Sequence, residues 1–196
     1  MKDIDVVVLG AGIAGLVATK CLKDAGMDVL CIEKEDRVGG RIASDKKDGF
    51  ILDRGFQVYL SHYDEPKKFL DFKGLDFQPF TSGSYLCHDQ KKYIMADPSK
   101  SLFLGLKSLK SLPFNDLWLL NKLQLQLKSR GFSDVDAKQS TLHFLKWFGF
   151  SDTIISQFFI PFLGGVFLEN ELKTSARLAC FYLLCFFKGN AVIGIG

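Results

Sequence analysis

The chain begins with a hydrophobic run, a glycine-rich turn and a second hydrophobic run in close succession. Ile4–Leu9 is rich in valine and apolar on both faces, which predicts a fully buried strand. Ile13–Ala25 carries small residues on one face at helical spacing and ends before Gly26, which predicts a helix. Asp28–Glu33 predicts a second buried strand. About thirty residues therefore form a strand–helix–strand unit, the length that a parallel crossover requires.

The rest of the hydrophobic pattern predicts one short strand, one hairpin and several helices. The strand is expected at Phe50–Leu52, and the hairpin pairs Ser84–Cys87 with Lys92–Met95. Helices are expected at Ser101–Leu109, Asn115–Ser129, Thr141–Phe148, Ser151–Phe159 and Thr174–Phe187, with N-cap residues at Ser133-Asp134 and Asp152. We therefore predict an α/β fold, with the strand–helix–strand start in a domain over residues 1–75 and the hairpin and helices in a domain over residues 76–196.

Composition and charge restrict the class of protein. Hydrophobic residues make up 47% of the chain and charged residues 24%, which excludes a disordered tail and allows a sizeable core. A net charge of +3 is too small to indicate a nucleic-acid partner. The cysteines have no Cys-x-x-Cys spacing, so we expect small core residues in a reducing compartment rather than a metal or redox site. They are Cys21, Cys31, Cys87, Cys180 and Cys185.

No stretch of the sequence predicts a signal peptide or a membrane-spanning helix. The two most apolar segments, Ile154–Leu168 and Leu178–Phe187, are too short or too interrupted, since Pro161 breaks the first. A cytoplasmic protein is therefore expected. Basic residues interleaved with leucine over Leu106–Arg130 predict a solvated face, and they leave peripheral contact with an anionic membrane open as an alternative.

Three glycines follow the first predicted strand and open the predicted helix. Gly10 permits a tight turn, Gly12 removes the side chain that would keep a diphosphate away from the backbone, and Gly15 lets the helix pack closely on the strand. The free N–H groups at the start of the helix, together with its positive dipole end, would face the anion. The position of the motif therefore favours a diphosphate site over a structural unit that has glycines by chance.

Glu33 ends the second predicted strand, eighteen residues after Gly15. A carboxylate at this place can accept hydrogen bonds from the two ribose hydroxyls of an adenosine, and it would repel a 2′-phosphate. The residues therefore argue against NADP, and they leave NAD and FAD open.

The segment after Glu33 distinguishes these two dinucleotides. The stretch VVVLGAGIAGLVATKCLKDAGMDVLCIEKEDRVGGRI resembles the N-terminal signature of the FAD-dependent amine oxidase and phytoene desaturase superfamily. The resemblance implies FAD as the cofactor and an incomplete Rossmann-like FAD-binding domain over residues 1–75. It also implies a second loop, Gly39-Gly40-Arg41, against the FAD diphosphate, where a guanidinium suits bidentate contact. An NAD-linked dehydrogenase is disfavoured by the same residues.

The resemblance extends to the stretch GFILDRGFQVYL, which covers residues 49–60. Family members carry a similar Asp-x-Gly segment whose backbone passes near the flavin, which implicates Asp53 and the residues after it; an ordinary turn is the alternative. No metal site is expected. The cofactor-binding residues that the resemblance implies are Gly10, Gly12, Ile13, Ala14, Gly15, Glu33, Lys34, Gly39, Gly40, Arg41, Gly55, Phe56 and Gln57.

The resemblance implies an oxidoreductase that takes a hydride equivalent from a C–H bond of an amine or of an apolar, polyene-like or lipid-like substrate. Phe158–Phe162 and Phe181–Phe187 are candidates for an apolar pocket, although core packing is favoured for each phenylalanine. His62, His88 and His143 are scattered along the chain and are more typical of surface or packing histidines. The catalytic residues are therefore unknown.

The chain resembles only the N-terminal portion of this superfamily, whose members are more than twice as long. We therefore expect a fragment that ends within a substrate domain over residues 76–196. Such a chain would be marginally stable or need a partner, and would bind FAD weakly on its own. The alternative is a non-catalytic nucleotide-binding remnant or subunit that pairs with a separately encoded C-terminal half.

Overall fold

The computed structural model describes residues 3–55, 58–80, 83–88, 91–95 and 113–194. The chain divides into two compact units, the first comprising Met1–Val58 and Glu65–Asp71 and the second Tyr59–Asp64 and Phe72–Gly196. The helix predicted at Ser101–Leu109 lies outside the described residues. The division of the chain at residue 75 stays a prediction.

The first unit opens with the predicted strand–helix–strand arrangement. Strand β1 (Val6–Leu9), helix α1 (Ile13–Asp24) and strand β2 (Val29–Ile32) follow one another, and the two strands pair in parallel. The N–H of Asp5 donates to the Asp28 carbonyl at 2.9 Å, and the Asp5 carboxylate accepts from the Asp28 N–H at 2.8 Å. These bonds fix the register where the pair begins, while α1 packs on one face of it.

An antiparallel hairpin follows in the same unit. Strands β3 (Ser44–Lys47) and β4 (Phe50–Asp53) are joined by Asp48 and Gly49, whose φ values are 51° and 81°. Asp-Gly with positive φ at both central residues is typical of a tight hairpin turn. The sequence predicted β4 but not β3, because Ser-Asp-Lys-Lys has no apolar side from which an alternation could be recognised.

The second unit contains a three-stranded antiparallel sheet of β5 (Tyr59–Leu60), β6 (Phe77–Pro79) and β9 (Ala191–Gly194), with β9 in the middle. The sequence did not predict this sheet, because its strands have at most four residues and β9 comes from the far end of the unit. The predicted hairpin is confirmed as β7 (Ser84–His88) and β8 (Lys91–Met95).

Helices are more abundant than strands in the described part of the second unit. No helix in the described residues is long and apolar enough to cross a membrane. The helices predicted after residue 113 are confirmed to within about two residues at each end for three ranges, Asn115–Ser129, Thr141–Phe148 and Thr174–Phe187. The helices are α2 (Phe114–Arg130), α3 (Thr141–Phe148), α4 (Asp152–Ile154), α5 (Ile160–Phe167) and α6 (Ala176–Lys188), with a π-helical turn over Ile155–Phe159.

The helix predicted at Ser151–Phe159 continues further than the sequence indicates. Pro161 does not interrupt it, because this residue lies in the first turn of α5, directly after the π-helical turn. The change of hydrogen-bond register there leaves room for a residue without an N–H. Proline is therefore compatible with a helical segment here.

Both predicted N-cap elements are wrong. Ser133-Asp134 does not precede a helix, because residues 132–139 form turns and bends. Ser140 and Ser151 hold the cap positions of α3 and α4, and each side chain accepts a backbone N–H from three residues further on. Asp152 lies in the first turn of α4, where its charge is favourable to the helix dipole.

The hydrophobic core lies among the helices of the second unit. Phe159 and Leu163 are completely buried, and Phe158 stacks on Phe162 with ring centroids 5.5 Å apart. Phe162 in turn meets Phe186 of α6 edge to face at 5.0 Å. Core packing is thus confirmed for these phenylalanines, which fill the space between α5, α6 and the π-helical turn.

The cysteines divide between the core and the surface. Cys180 and Cys185 are buried in α6, and burial raises the pKa of their thiols to about 12 and about 11. These two are small core residues, as predicted. The prediction is wrong for Cys21 and Cys87, which are exposed; α1, which carries Cys21, has no buried residue.

Asp116 is a buried residue that joins α2 to the start of α4. It is 1% exposed, and its carboxylate accepts hydrogen bonds from the Ser151 N–H at 3.0 Å and the Ser151 hydroxyl at 2.5 Å. The same hydroxyl oxygen accepts the Ile154 N–H and so caps α4. One carboxylate therefore holds the cap in place and ties two helices of the core together.

We expect Asp116→Ala to lower the free energy of unfolding by about 1–3 kcal/mol, because it leaves the Ser151 N–H and hydroxyl without their acceptor. Urea unfolding followed by circular dichroism measures the loss. Asp152→Ala is the matched control, since the Asp152 side chain is 90% exposed in its ion pair with Lys146. Its effect should stay within about 0.5 kcal/mol. Equal losses in the two variants would contradict the role of Asp116.

Candidate functional site

The turn between β1 and α1 leaves the start of the helix open. Gly12 is the N-cap of α1 with φ −71° and ψ 177°, no side chain caps the helix, and its first turn contains no acidic residue. The first N–H groups therefore remain available to an anion, and the helix dipole favours negative charge at this end.

The three glycines of this turn serve different purposes. A Cβ on Gly15 would lie 1.9 Å from the carbonyl oxygen of Gly10, so the helix touches the turn backbone to backbone. Gly10 has φ +97°, a conformation that favours glycine. A Cβ on Gly12 would meet nothing within 4 Å. The protein itself therefore needs Gly10 and Gly15, whereas Gly12 keeps open the space in front of the helix.

The second glycine-rich loop lies against the first one. The N–H of Gly39 donates to the Ala11 carbonyl at 2.8 Å, and a Cβ on Gly40 would lie 3.2 Å from the Cα of Gly12. Gly39 and Gly40 have φ values of +105° and +61°. Arg37 donates from Nη2 to the Gly40 carbonyl at 3.1 Å. The doublet thus serves both the turn of this loop and its close approach to Gly12.

Glu33 is bound to the first loop by its carboxylate. Oε2 accepts the Ala11 N–H at 2.6 Å, and Oε1 accepts the N–H groups of Lys34 at 2.8 Å and Glu35 at 3.1 Å. These bonds, that of Ala11 first, lower the pKa of Glu33 below its ordinary value. A carboxylate offers about four acceptor positions, so three are used and one remains for a ligand.

These elements enclose an open cleft of about 720 Å³ in the first unit. Arg54 is held there by two hydrogen bonds to Asp45, each 2.8 Å long, so its charge is paired within the β3–β4 hairpin. Arg37 and Arg54 lie within the two stretches that carry the resemblance, but the sequence assigned neither of them a role. The cleft is lined by Leu9, Gly10, Ile32, Glu33, Lys34, Glu35, Arg37, Gly40, Arg41 and Arg54.

The structure brings together most of the residues that the sequence proposed. Five of them line the cleft, namely Gly10, Glu33, Lys34, Gly40 and Arg41. The others of the two loops, namely Gly12, Ile13, Ala14, Gly15 and Gly39, form the turn, the helix start and the loop contact beside it. Gly55 follows Arg54 but does not line the cleft, and Phe56 and Gln57 lie outside the described residues.

Neither of the two histidines whose side chains the structure describes lines the cleft. His143 is exposed on α3, and its backbone N–H donates to the capping Ser140 side chain. His62 is half-buried beside Gly189. A Cβ on Gly189 would lie 2.8 Å from the backbone nitrogen of His62. The side chain of His88 is outside the described part of the structure. No catalytic role is assigned to these residues.

Comparison with known proteins shows which family this chain resembles. Residues 13–196 match the sequence profile of a family described as flavin containing amine oxidoreductase. Protoporphyrinogen oxidase 2 of Arabidopsis thaliana is 30% identical over 167 residues, 82% of this chain and 32% of that protein. Putrescine oxidase of Kocuria rosea is 40% identical over 102 residues, 52% of this chain and 20% of that protein.

The fold agrees with these relatives. A solved structure of putrescine oxidase with bound putrescine matches 98% of this chain with a TM-score of 0.63 at 23% identity. The chain covers 46% of that structure, and so spans less than half the length of the relatives it matches. The resemblance seen in the sequence and the FAD that it implies are thereby confirmed.

We expect Gly15→Ala to destabilise the first unit by about 1–3 kcal/mol, because the new methyl group would collide with the Gly10 carbonyl and overpack the turn. Gly12→Ala is the matched control, since its methyl group meets no atom within 4 Å and its φ is ordinary. Hydrogen exchange measured by mass spectrometry on peptides from β1, α1 and β2 reports the opening of this unit. Unchanged exchange in Gly15→Ala would contradict the backbone contact.

Glu33→Gln should remove a pH-dependent part of the stability. Because folding lowers the pKa of Glu33, its ionised form stabilises the fold fully above its ordinary value of 4.5, and this contribution is lost as the pH falls through the lowered pKa. The urea midpoints of the wild type and the variant should therefore differ at about pH 6 and converge toward about pH 3. A difference that persists at low pH would show that the carboxylate charge is not responsible.

Proposed function

Because this chain belongs to the flavin-containing amine oxidoreductase family, we propose that the cleft of its first unit binds the adenosine and diphosphate part of FAD. The observation that supports this proposal is the empty space in front of Gly12, at the uncapped start of α1. The fold needs no glycine at this position, whereas a diphosphate that approaches the backbone does.

The donors around the cleft suit this ligand. The N–H groups at the start of α1 would hold the diphosphate, and Arg41 is placed at the edge of the cleft with a guanidinium suited to two phosphate oxygens. Arg37 supports this arrangement indirectly, because its hydrogen bond to the Gly40 carbonyl holds the loop that carries Arg41. Arg54 is already paired with Asp45, and Lys34 with Glu35 at 3.4 Å, so among the described residues that line the cleft the positive charge without an ion pair comes from Arg37 and Arg41.

Glu33 would recognise the adenosine ribose through its remaining acceptor position. Its carboxylate is ionised, and it accepts three backbone N–H groups from the protein. A ribose hydroxyl can donate to the fourth position, whereas a 2′-phosphate would be repelled. The carboxylate thus favours FAD over a cofactor that carries a 2′-phosphate.

The reaction that we propose is the oxidation of an amine or an apolar substrate at a C–H bond. FAD, when bound, supplies the acceptor of a hydride equivalent. Relatives of this chain include an oxidase named for putrescine and a carotenoid 3,4-desaturase from Haloarcula japonica, so both substrate classes occur among them. The described residues give no catalytic assignment, and this chain's proposed part is to hold the cofactor.

A second candidate, a nucleotide-binding subunit that acts with a separate C-terminal half, is favoured by the surface of the β1–β2 pair. One face of this pair packs on α1, but the other exposes four apolar side chains by 42–80%. Parallel sheets are normally covered on both faces. A further layer of protein on this face would therefore stabilise the unit. The four exposed apolar side chains are those of Val7, Leu9, Leu30 and Ile32.

Titration of the purified chain with FAD, followed by quenching of flavin fluorescence, tests the first proposal. We expect saturable binding that Arg41→Ala weakens about 10-fold to 100-fold, since a charge-assisted hydrogen bond contributes about 1.5–3 kcal/mol. Gly12→Ala should also weaken binding because its methyl group occupies the space of the diphosphate. Lys47→Ala is the control, because Lys47 is exposed on β3 and does not line the cleft.

The two candidates differ in what they require. If the chain binds no FAD alone but does so after addition of a C-terminal half from a relative, the subunit proposal is supported. If binding is absent in both cases, or is equal in the wild type and the Arg41→Ala and Gly12→Ala variants, the cleft is not the FAD site.

A further inference from the structure

Both tryptophans of the chain lie on the surface of the second unit. Trp118 on α2 is 55% exposed and Trp147 on α3 is 71% exposed, and Phe114 at the start of α2 is 81% exposed. Large aromatic side chains are mostly buried in folded proteins, so a group of exposed ones indicates a contact surface. We call Phe114, Trp118, Lys122 and Trp147 the aromatic patch.

The patch is formed by side chains of α2 and α3. Phe114, Trp118 and Lys122 are spaced four residues apart and share one side of α2, whereas Leu119, Leu123 and Leu127 are buried on the other. The Lys122 Nζ lies 5.4 Å from the ring centroid of Trp118 and 5.5 Å from that of Phe148, the residue that follows Trp147. Lys122 therefore links the two helices across the patch.

The charges of these helices have one sign. Asp116 is the single acidic residue of α2 and α3, and it is buried. The other charged residues of the two helices are Lys122, Lys128, Arg130 and Lys146. Among the described residues, Lys146 has an acidic partner in the exposed Asp152, whose Oδ1 lies 3.5 Å from the Lys146 Nζ. The charged side chains that α2 and α3 carry outside the core are consequently all basic.

We propose that the aromatic patch docks onto an anionic lipid surface, with the rings at the level of the headgroups and Lys122 and its basic neighbours against the lipid phosphates. Tryptophan is enriched at membrane interfaces because its ring is apolar while its N–H can meet water. Lysine side chains can place their methylene groups on apolar surface and keep the ammonium group in water. The Lys122 ammonium group lies beside the ring of the exposed Trp118. A protein partner would not require a cationic rim around the aromatic residues.

The docking is peripheral and independent of FAD. No helix in the described residues can cross a bilayer, so the contact involves a helix side that lies along the surface. The proposal concerns the second unit alone, and its test does not require the cleft of the first unit to be occupied.

The tryptophans themselves report this contact, because the chain contains no others. The full chain is mixed with vesicles of phosphatidylcholine that contain phosphatidylglycerol, and tryptophan emission and co-sedimentation are measured. We expect a blue shift and sedimentation with the anionic vesicles, and a large loss of both at high salt or with phosphatidylcholine alone. Lys122→Glu should weaken binding roughly tenfold or more.

Two further variants make the test specific. Trp118→Ser and Trp147→Ser remove exposed side chains, so they should leave folding unchanged while each lowers binding. Lys138→Glu is the charge-matched control, because Lys138 is exposed in the turn segment before α3 and should bind vesicles as the wild type does. The proposal is overturned if no variant differs from the wild type in vesicle binding. It is also overturned if tryptophan emission is already blue-shifted without vesicles and Trp118→Ser changes the oligomeric state. The latter result would assign the patch to a protein contact.

Discussion

The close contact of two glycine-rich loops is the constraint on which the first unit depends. Gly15 brings α1 against the carbonyl of Gly10, and Gly40 brings the second loop against Gly12. A Cβ on Gly15 would lie 1.9 Å from the Gly10 carbonyl oxygen and one on Gly40 would lie 3.2 Å from the Gly12 Cα, so backbone atoms set the distance between the strand, the helix and the loop. The cleft, the uncapped helix start and the position of Arg41 all follow from this contact.

The sequence predicted the parts of this site that have a local pattern. The strand–helix–strand unit, the three glycines and Glu33 were recognised because valine runs, helical spacing and glycine positions are local signals. The hydrogen bond from the Ala11 N–H to Glu33 joins residues 22 positions apart, and the pairing of Arg54 with Asp45 depends on an unrecognised strand. Such contacts exist only after the chain has folded, so the sequence could not show them.

The two units differ in how they are stabilised. The second unit has a core in which residues such as Phe159, Leu163 and Cys180 are fully buried, whereas Ala11 is the one buried hydrophobic residue in the described part of the first unit. The first unit is held mainly by backbone hydrogen bonds and loop contacts, whose net contribution is modest in water. This contrast also explains why helices were predicted more accurately than strands, since burial gives α2 and α3 a clear apolar side.

Glu33 couples the stability of the loop to the choice of ligand. Its carboxylate holds the Ala11 N–H at 2.6 Å and faces the cleft that Arg41 also lines. A ligand that needed both carboxylate oxygens free would have to break the bonds that position the glycine loop. A ligand that needs one acceptor position can bind without rearrangement, so less affinity is lost to reorganisation. In the proposed function, the bonds that stabilise the loop therefore favour a nucleotide that approaches Glu33 through a hydroxyl group.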